Sequence, residues 1–283
     1  MEQLLLGAFT DKYLSYSKST KAHKTFLADR SALQALQGFV GNVDIAEISR
    51  DHIEGFRLHE LRRIKATSVN VALRHLRAAF SWAVSHGLLQ DNPLATIKLN
   101  RVPHNIHPKF LSVDEVNRLR LAAGEDTRIR RAIDFGVLTG MRRDEMVHVQ
   151  WSDVDFDRGV IYVQNKDDFR TKSRKSRIVP MNKSLRSLLL HMKPSNAIPS
   201  DRVLNISYGW LGRRFKRAIR DAGLDESISF HALRHTFASH LIMNGVDITS
   251  VQTILGHHSV TVTQIYLHLD PNYLARTVEK LPF

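Results

Sequence analysis

The chain has 283 residues, with 41 Lys and Arg against 28 Asp and Glu for a net charge of +13, and 43% of it is hydrophobic. That length and balance exclude a disordered or fibrous chain and suit two globular domains. The cationic excess points to a polyanionic partner, nucleic acid or an anionic membrane surface, because Lys and Arg that neutralise phosphates release condensed counterions. The lack of cysteine excludes disulfides, thiolate nucleophiles and sulfur-based zinc sites. No apolar run approaches the roughly 18 residues of a membrane span, and Leu4-Leu5-Leu6 lacks the basic flank and length of a signal peptide, so a cytoplasmic location is expected.

Taken in chain order, residues 1–100 read as a small helical domain. Phe9 to Tyr16, Thr25 to Phe39 and Ser49 to Leu61 are helical stretches, followed by a long one from Ser68 to His86 with Val69, Leu73, Leu76, Phe80 and Val84 on one face. Gly87, Asn92-Pro93 and the basic, proline-containing stretch 101–109 break the periodicity, and 101–109 reads as a linker. Beyond it, Leu111-Ser112-Val113-Asp114-Glu115 carries the capping-box spacing of a helix start. Arg128 to Leu138 predicts a helix ended by Thr139-Gly140, and another is expected from Met141 to Val149. The β-branched runs Val160-Ile161-Tyr162-Val163 and Arg177-Ile178-Val179 flank a basic loop and predict a hairpin. Helices over Trp210 to Ala222, His231 to Met243, Ile248 to Leu255 and Asn272 to Lys280 complete the expectation. The fold class is mostly α: a small helical domain, then a mainly helical one with a small hairpin or sheet.

The chemistry lies in the second domain. Arg142 opens a helix just after a tight turn, where free backbone N–H groups also favour an anion. His231 and Arg234 share a helix face one turn apart. His257 follows Gly256 past a helix end, and Lys172 sits in the hairpin loop with Arg170, Arg174, Lys175 and Arg177. Guanidiniums, an ammonium, imidazoles and a phenol, Tyr266, without a carboxylate cluster or metal motif, suit chemistry at a phosphate. His231 and His235 also have zinc-pair spacing, but without Cys or an HExxH pattern no metal is expected.

These motifs resemble the tyrosine recombinase family, which includes phage integrases and Xer-type enzymes. Thr139-Gly140-Met141-Arg142-Arg143-Asp144-Glu145 matches its first box, His231-x-x-Arg234-His235 its second, and Leu255-Gly256-His257-x-Ser259 leading to Tyr266 and His268 its third. The resemblance implies that Tyr266 attacks a scissile phosphodiester to give a 3′-phosphotyrosine and a free 5′-hydroxyl, without ATP, metal or other cofactor. It implies that Arg142 and Arg234 hold the nonbridging oxygens, that Lys172 is general acid with Lys175 as the competing lysine, and that His231 accepts or orients the Tyr266 proton. His257 would donate to phosphate, with Glu145, His235 and His268 in support and Arg170, Arg174, Lys175 and Arg177 binding DNA.

The implied organisation is a core-binding domain over 1–100, a catalytic domain over 110–270, and a tail over 271–283 that contacts a neighbouring protomer. The implied partners are duplex DNA with a short inverted-repeat core site and three further copies of the chain, with accessory DNA-bending proteins compatible. The implied function is site-specific recombination through a Holliday junction. No small arm-binding domain fits ahead of residue 9, which favours recombination at short core sites. Two alternatives use similar residues or the same fold: a type IB topoisomerase, and a DNA-binding regulator without the chemistry.

Overall fold

The computed structural model describes residues 3–102, 108–166, 169, 171, 175–257, 259 and 261–266. The chain divides into two compact units at His104 and Asn105. The first holds helices α1 (Leu6–Thr20), α2 (His23–Val40), α3 (Arg50–Leu61) and α4 (Ala66–Ser85), with a 3-10 turn over Ile45–Glu47. Leu6, Phe9 and Tyr13 of α1 bury one stripe, as do Val69, Leu73, Leu76 and Phe80 of α4. Ser49 caps α3 in a reciprocal exchange with His52.

Helix α1 runs one turn further than its apolar pattern predicts, because its polar end is bound rather than solvated. Ser17 Oγ donates to Asp29 Oδ2 of α2 at 2.7 Å, Lys21 Nζ reaches the same oxygen at 3.0 Å, and His75 Nδ1 of α4 meets Oδ1 at 2.5 Å. Burial alone would raise the Asp29 carboxyl, but the bonds from Ser17, His75 and Lys21 outweigh it and hold the pKa below the usual value. One buried carboxylate thus ties three helices together. The chain after α4 is held back on this unit: Asn70 Nδ2 donates to Asn100 O at 2.9 Å, and Asn100 N donates to Asn70 Oδ1 at 2.8 Å.

The second unit opens with α5 (Val113–Ala122), whose capping box forms as expected: Ser112 N donates to Glu115 Oε2 at 2.8 Å, and Glu115 N to Ser112 Oγ at 3.1 Å. Then come α6 (Thr127–Thr139) and α7 (Arg143–Met146). The expected helix from Met141 to Val149 is therefore only four residues long. Arg142 is extended, with φ −69° and ψ 147°, and a 3-10 turn over Trp151–Asp153 follows, closed by Gln150 N donating to Asp153 Oδ2 at 2.8 Å.

Strands β1 (Val154–Asp155), β2 (Val160–Val163) and β3 (Arg177–Pro180) form an antiparallel sheet in that order, with Ile161 opposite Val179. The predicted hairpin forms, and the two-residue β1 is an addition too short to show an alternation. A further helix, α8 (Lys183–Met192), falls outside the sequence expectation. Asn182 caps it, accepting from Leu185 N at 2.8 Å, and Leu185, Leu189 and Met192 are its buried stripe. Helices α9 (Tyr208–Asp221), α10 (Ala232–Met243), α11 (Ile248–Leu255) and α12 (Thr261–Gln264) follow. One large core packs around Phe135, Trp151, Ile161 and Phe215, and a smaller one joins Ala238, Ile242, Val251, Leu255 and Tyr266. The expected helix over Asn272 to Lys280 and the tail over 271–283 lie outside the described residues. Among those described, no helix is long and apolar enough to cross a membrane.

Replacing Asp29 by Ala leaves the buried Ser17 hydroxyl without its acceptor and removes the partner shared by Lys21 and His75, and should destabilise the first unit by about 3 kcal/mol. Native-state amide exchange of α1, α2 and α4 in urea checks this. Unchanged protection there would show that the network contributes nothing.

Candidate active site

The site is built on two left-handed helix ends, a conformation that favours glycine. Gly140 ends α6 at φ +60°, and a Cβ there would stand 2.5 Å from Phe237 Cδ1 and 2.9 Å from Leu255 Cδ2. This turn places Arg142 at the start of α7. Glu145, one helical turn on, accepts from Arg142 N at 2.8 Å and from Arg142 Nη1 at 2.8 Å. Arg143, its neighbour, turns to α9, where its guanidinium lies 3.5 Å from the centroid of the Tyr208 ring.

Gly256 ends α11 at φ +65°. The last carbonyls of a helix have no partner within it and carry its negative dipole end, and here guanidiniums from three different elements take three of them in succession. Arg177 Nε donates to Ile254 O at 2.9 Å, Arg234 Nη2 to Leu255 O at 2.7 Å, and Arg142 Nη2 to Gly256 O at 3.3 Å. Arg234 also donates through Nη1 to Gly140 O at 2.9 Å, so both glycine turns share one side chain. Arg234 is only 2% exposed; burial, then the neighbouring Arg142 cation, lowers its pKa to about 9, and it stays charged at neutral pH.

Arg177 corrects an expectation. Read as one of the DNA-binding residues of the hairpin loop, its side chain is instead 8% exposed and forks onto Glu145, with Nη1 to Oε1 at 3.0 Å and Nη2 to Oε2 at 2.6 Å. Burial alone would raise the Glu145 carboxyl, but Arg177 and then Arg142 outweigh it and hold the pKa down at about 2. A signal for this was present in the sequence: strand alternation puts Arg177 on the same face as the buried Val179. Lys175 is exposed. Arg170, Lys172, Arg174 and His268 lie outside the described residues.

The tyrosine also has a different partner from the one expected. Tyr266 is 1% exposed, and its hydroxyl lies 2.6 Å from Nδ1 of His235, not against His231. His231 is exposed, with its ring 4.8 Å from that of His235 and edge-on to it. The reason is helical geometry: His231 stands ahead of the first turn of α10, while His235 lies one turn deeper, over the small core that holds Tyr266. Burial pushes Tyr266 up to about 12, offset only partly by Arg234. Burial, then the His231 and Arg234 charges, lowers His235 to about 4. His235 is thus neutral at pH 7, with Nδ1 able to accept from the phenol.

His257 stands just past the α11 terminus, its Nδ1 2.8 Å from Thr263 Oγ1. Burial, then Arg234 and Arg142, lowers it to about 3. A neutral ring whose Nδ1 accepts from Thr263 carries its proton on Nε2, ready to donate. Among the described residues, no group of three or more His, Cys, Asp or Glu is placed to hold a metal ion.

These two histidines link pH to stability. Both are held neutral when folded and would protonate when unfolded near the ordinary value of about 6.5, so their contribution is full above that pH and lost as pH falls toward about 4 and about 3. Urea midpoints should therefore fall between about pH 6.5 and 5, above the carboxylate range. The variant His235→Gln with His257→Gln should flatten that slope; an equal slope in the variant would assign the dependence elsewhere.

The sequence pattern of the phage integrase family matches residues 109–272, and that of the phage integrase SAM-like domain matches residues 5–99. The chain is similar to the tyrosine recombinase XerC of Thermodesulfovibrio yellowstonii, with 29% identity over 95% of this chain and 93% of that protein. It is also similar to XerC of Xylella fastidiosa strain M23, with 27% identity over 99% of this chain and 96% of that one. Among solved structures, a lambda integrase tetramer bound to a Holliday junction superposes with TM-score 0.78 and 22% identity, covering 94% of this chain and 78% of that one. The Tn1549 transposon integrase in complex with transposon right end DNA gives TM-score 0.78 and 20% identity over 99% and 100%. These structures share the fold, and with family patterns spanning both units the chain belongs to the phage integrase family of tyrosine recombinases.

Proposed function

We propose that this recombinase cuts and rejoins duplex DNA at a specific site through a 3′-phosphotyrosine intermediate, in the cytoplasm and in association with the nucleoid. The observation that carries the reading is the meeting of Arg142, Arg234 and His257 at one helix terminus, with Tyr266 beside it on His235. Arg142 and Arg234 supply charge-assisted bonds to nonbridging oxygens, which strengthen as negative charge accumulates on phosphorus. The Tyr266 oxygen attacks phosphorus, the bond from phosphorus to the 5′-oxygen breaks, and the released oxygen takes a proton from Lys172. The phenol proton passes to His235, its partner in the geometry described, with His231 as the exposed imidazole beside it. His257 donates to the phosphate.

The phosphodiester energy is conserved in the protein–DNA bond, so a 5′-hydroxyl of a partner strand reverses the step without a cofactor. Four copies on two inverted-repeat sites exchange strands in two rounds through a Holliday junction. The lambda integrase tetramer bound to such a junction supports this assembly by likeness of fold. Exposed Lys175, with Arg170 and Arg174, contacts DNA phosphates.

Covalent adducts captured from host DNA in chelator test the reading. Wild type should yield adducts whose sequenced ends converge on one short inverted repeat, and Tyr266→Phe should yield none. Arg142→Gln and Arg234→Gln should each lose on the order of 100-fold in cleavage rate. Tyrosine-dependent adducts scattered over the genome would instead favour a topoisomerase, and no adducts from a folded, DNA-bound wild type would favour a regulator.

The role of Lys172 has its own test. A sulfur leaving group at the 5′ bridging position needs no proton, so a bridging phosphorothiolate should restore cleavage by Lys172→Ala to within about tenfold of wild type. If Lys175→Ala is the variant rescued, the general acid is Lys175.

A further inference from the structure

Three guanidiniums and one carboxylate share the site, and their arrangement is unequal. Glu145 faces both Arg142 and Arg177, but Arg177 takes both of its oxygens while Arg142 Nη1 takes one. Arg177 is also locked from its other sides. Its Nε caps Ile254 O at 2.9 Å, and a Cβ on Gly256 would meet Arg177 Cδ at 2.6 Å, so the glycine of the third motif makes room for this side chain. The Arg177 guanidinium is thus engaged by protein groups, and its side chain is largely buried.

We infer that Arg177 is a positioning residue for strand cleavage: by forking onto Glu145 it divides that carboxylate's charge between two guanidiniums, so that Arg142, which keeps one bond to Oε1, meets the scissile phosphate only partly compensated. With Arg177 in place, Arg142, Arg177 and Arg234 against Glu145 leave two net positive charges around the phosphate position; without it, one remains and Glu145 pairs with Arg142 alone. A carboxylate paired with a single arginine screens that arginine from a phosphate. Arg177 also holds α11, through Ile254, in the register that presents Leu255 O to Arg234 and Gly256 O to Arg142. The inference rests on the strand-cleavage reading of the site.

The test compares wild type with Arg177→Gln, Arg177→Lys and the double variant Arg177→Met with Glu145→Gln, each confirmed by circular dichroism to be folded at the assay temperature. Single-turnover cleavage is measured on a synthetic duplex carrying the site recovered from covalent adducts, with either a phosphodiester or a methylphosphonate at the scissile position. Arg177→Gln should lose on the order of 100-fold on the phosphodiester with DNA affinity within about threefold of wild type. Arg177→Lys should recover part of the loss, and the double variant most of it, because no carboxylate is left to screen Arg142. The loss in Arg177→Gln should shrink on the methylphosphonate, which carries no nonbridging negative charge and demands less of Arg142. An equal loss on both substrates, or a double variant no better than the single one, would overturn the inference and leave a packing role only.

A second measurement does not depend on cleavage. Titration with inorganic sulfate, followed at the 15N resonances of the Arg142 and Arg234 side chains, should show weaker binding in Arg177→Gln than in wild type and recovery in the double variant. Equal binding in all, or none in wild type, would overturn the inference even if no duplex were cleaved. Absence of any covalent adduct from wild type, with the expected sulfate pattern intact, would instead count against strand cleavage and leave the charge balance standing.

Discussion

The C-terminus of α11 is the constraint on which the site depends. Helix ends leave carbonyls without partners and a partial negative charge, and such an end buried without donors would destabilise the domain. Here the donors come from β3, α10 and the turn ahead of α7, in the order Ile254, Leu255, Gly256. A folding requirement and a functional one are thereby met by the same bonds. Each arginine is held rigidly by a fixed dipole, and the rigidity places positive charge beside His257 without the entropy of ordering long side chains at the moment of reaction.

Glu145 completes this arrangement by making it affordable to bury so much like charge. Arg142, Arg177 and Arg234 repel one another, and the lowered pKa of Arg234 records that repulsion together with burial. A single carboxylate, almost wholly buried and held near pKa 2, is the only acidic group among their contacts described above. The same balance explains the histidines: next to cations and out of water, His235 and His257 are neutral, and each has one nitrogen engaged by a hydroxyl. The phenol on His235 is protonated and buried, a resting arrangement in which it is a weak nucleophile.

Much of this was legible in the chain. The stripes Val69-Leu73-Leu76-Phe80 and the Ser112/Glu115 cap are local patterns read directly from spacing, and they form as expected. Glycines at 140 and 256 marked helix ends because a left-handed turn needs them. What failed were elements whose limits depend on distant partners. The last turn of α1 is polar and is held by Asp29 of another helix. The helix after Met141 stops early, giving way to a 3-10 turn closed by Asp153. The Asn182 cap and the Leu185, Leu189 and Met192 stripe of α8 have ordinary helical spacing and were readable from the sequence alone.

The sequence by itself determined the inventory: a basic, cysteine-free, mostly helical chain whose ordered boxes name Arg142, His231, Arg234, His257 and Tyr266. Such boxes are short, and their spacing follows from single helices and turns. Only the tertiary structure decided the pairings, with Arg177 turned inward to Glu145 and Tyr266 set on His235 instead of His231. The physical reason is that a hydrogen bond between residues 32 positions apart, as between Glu145 and Arg177, is chosen by packing. A strand's inward face and a helix's buried turn select the partner, and neither is visible from the residue type alone.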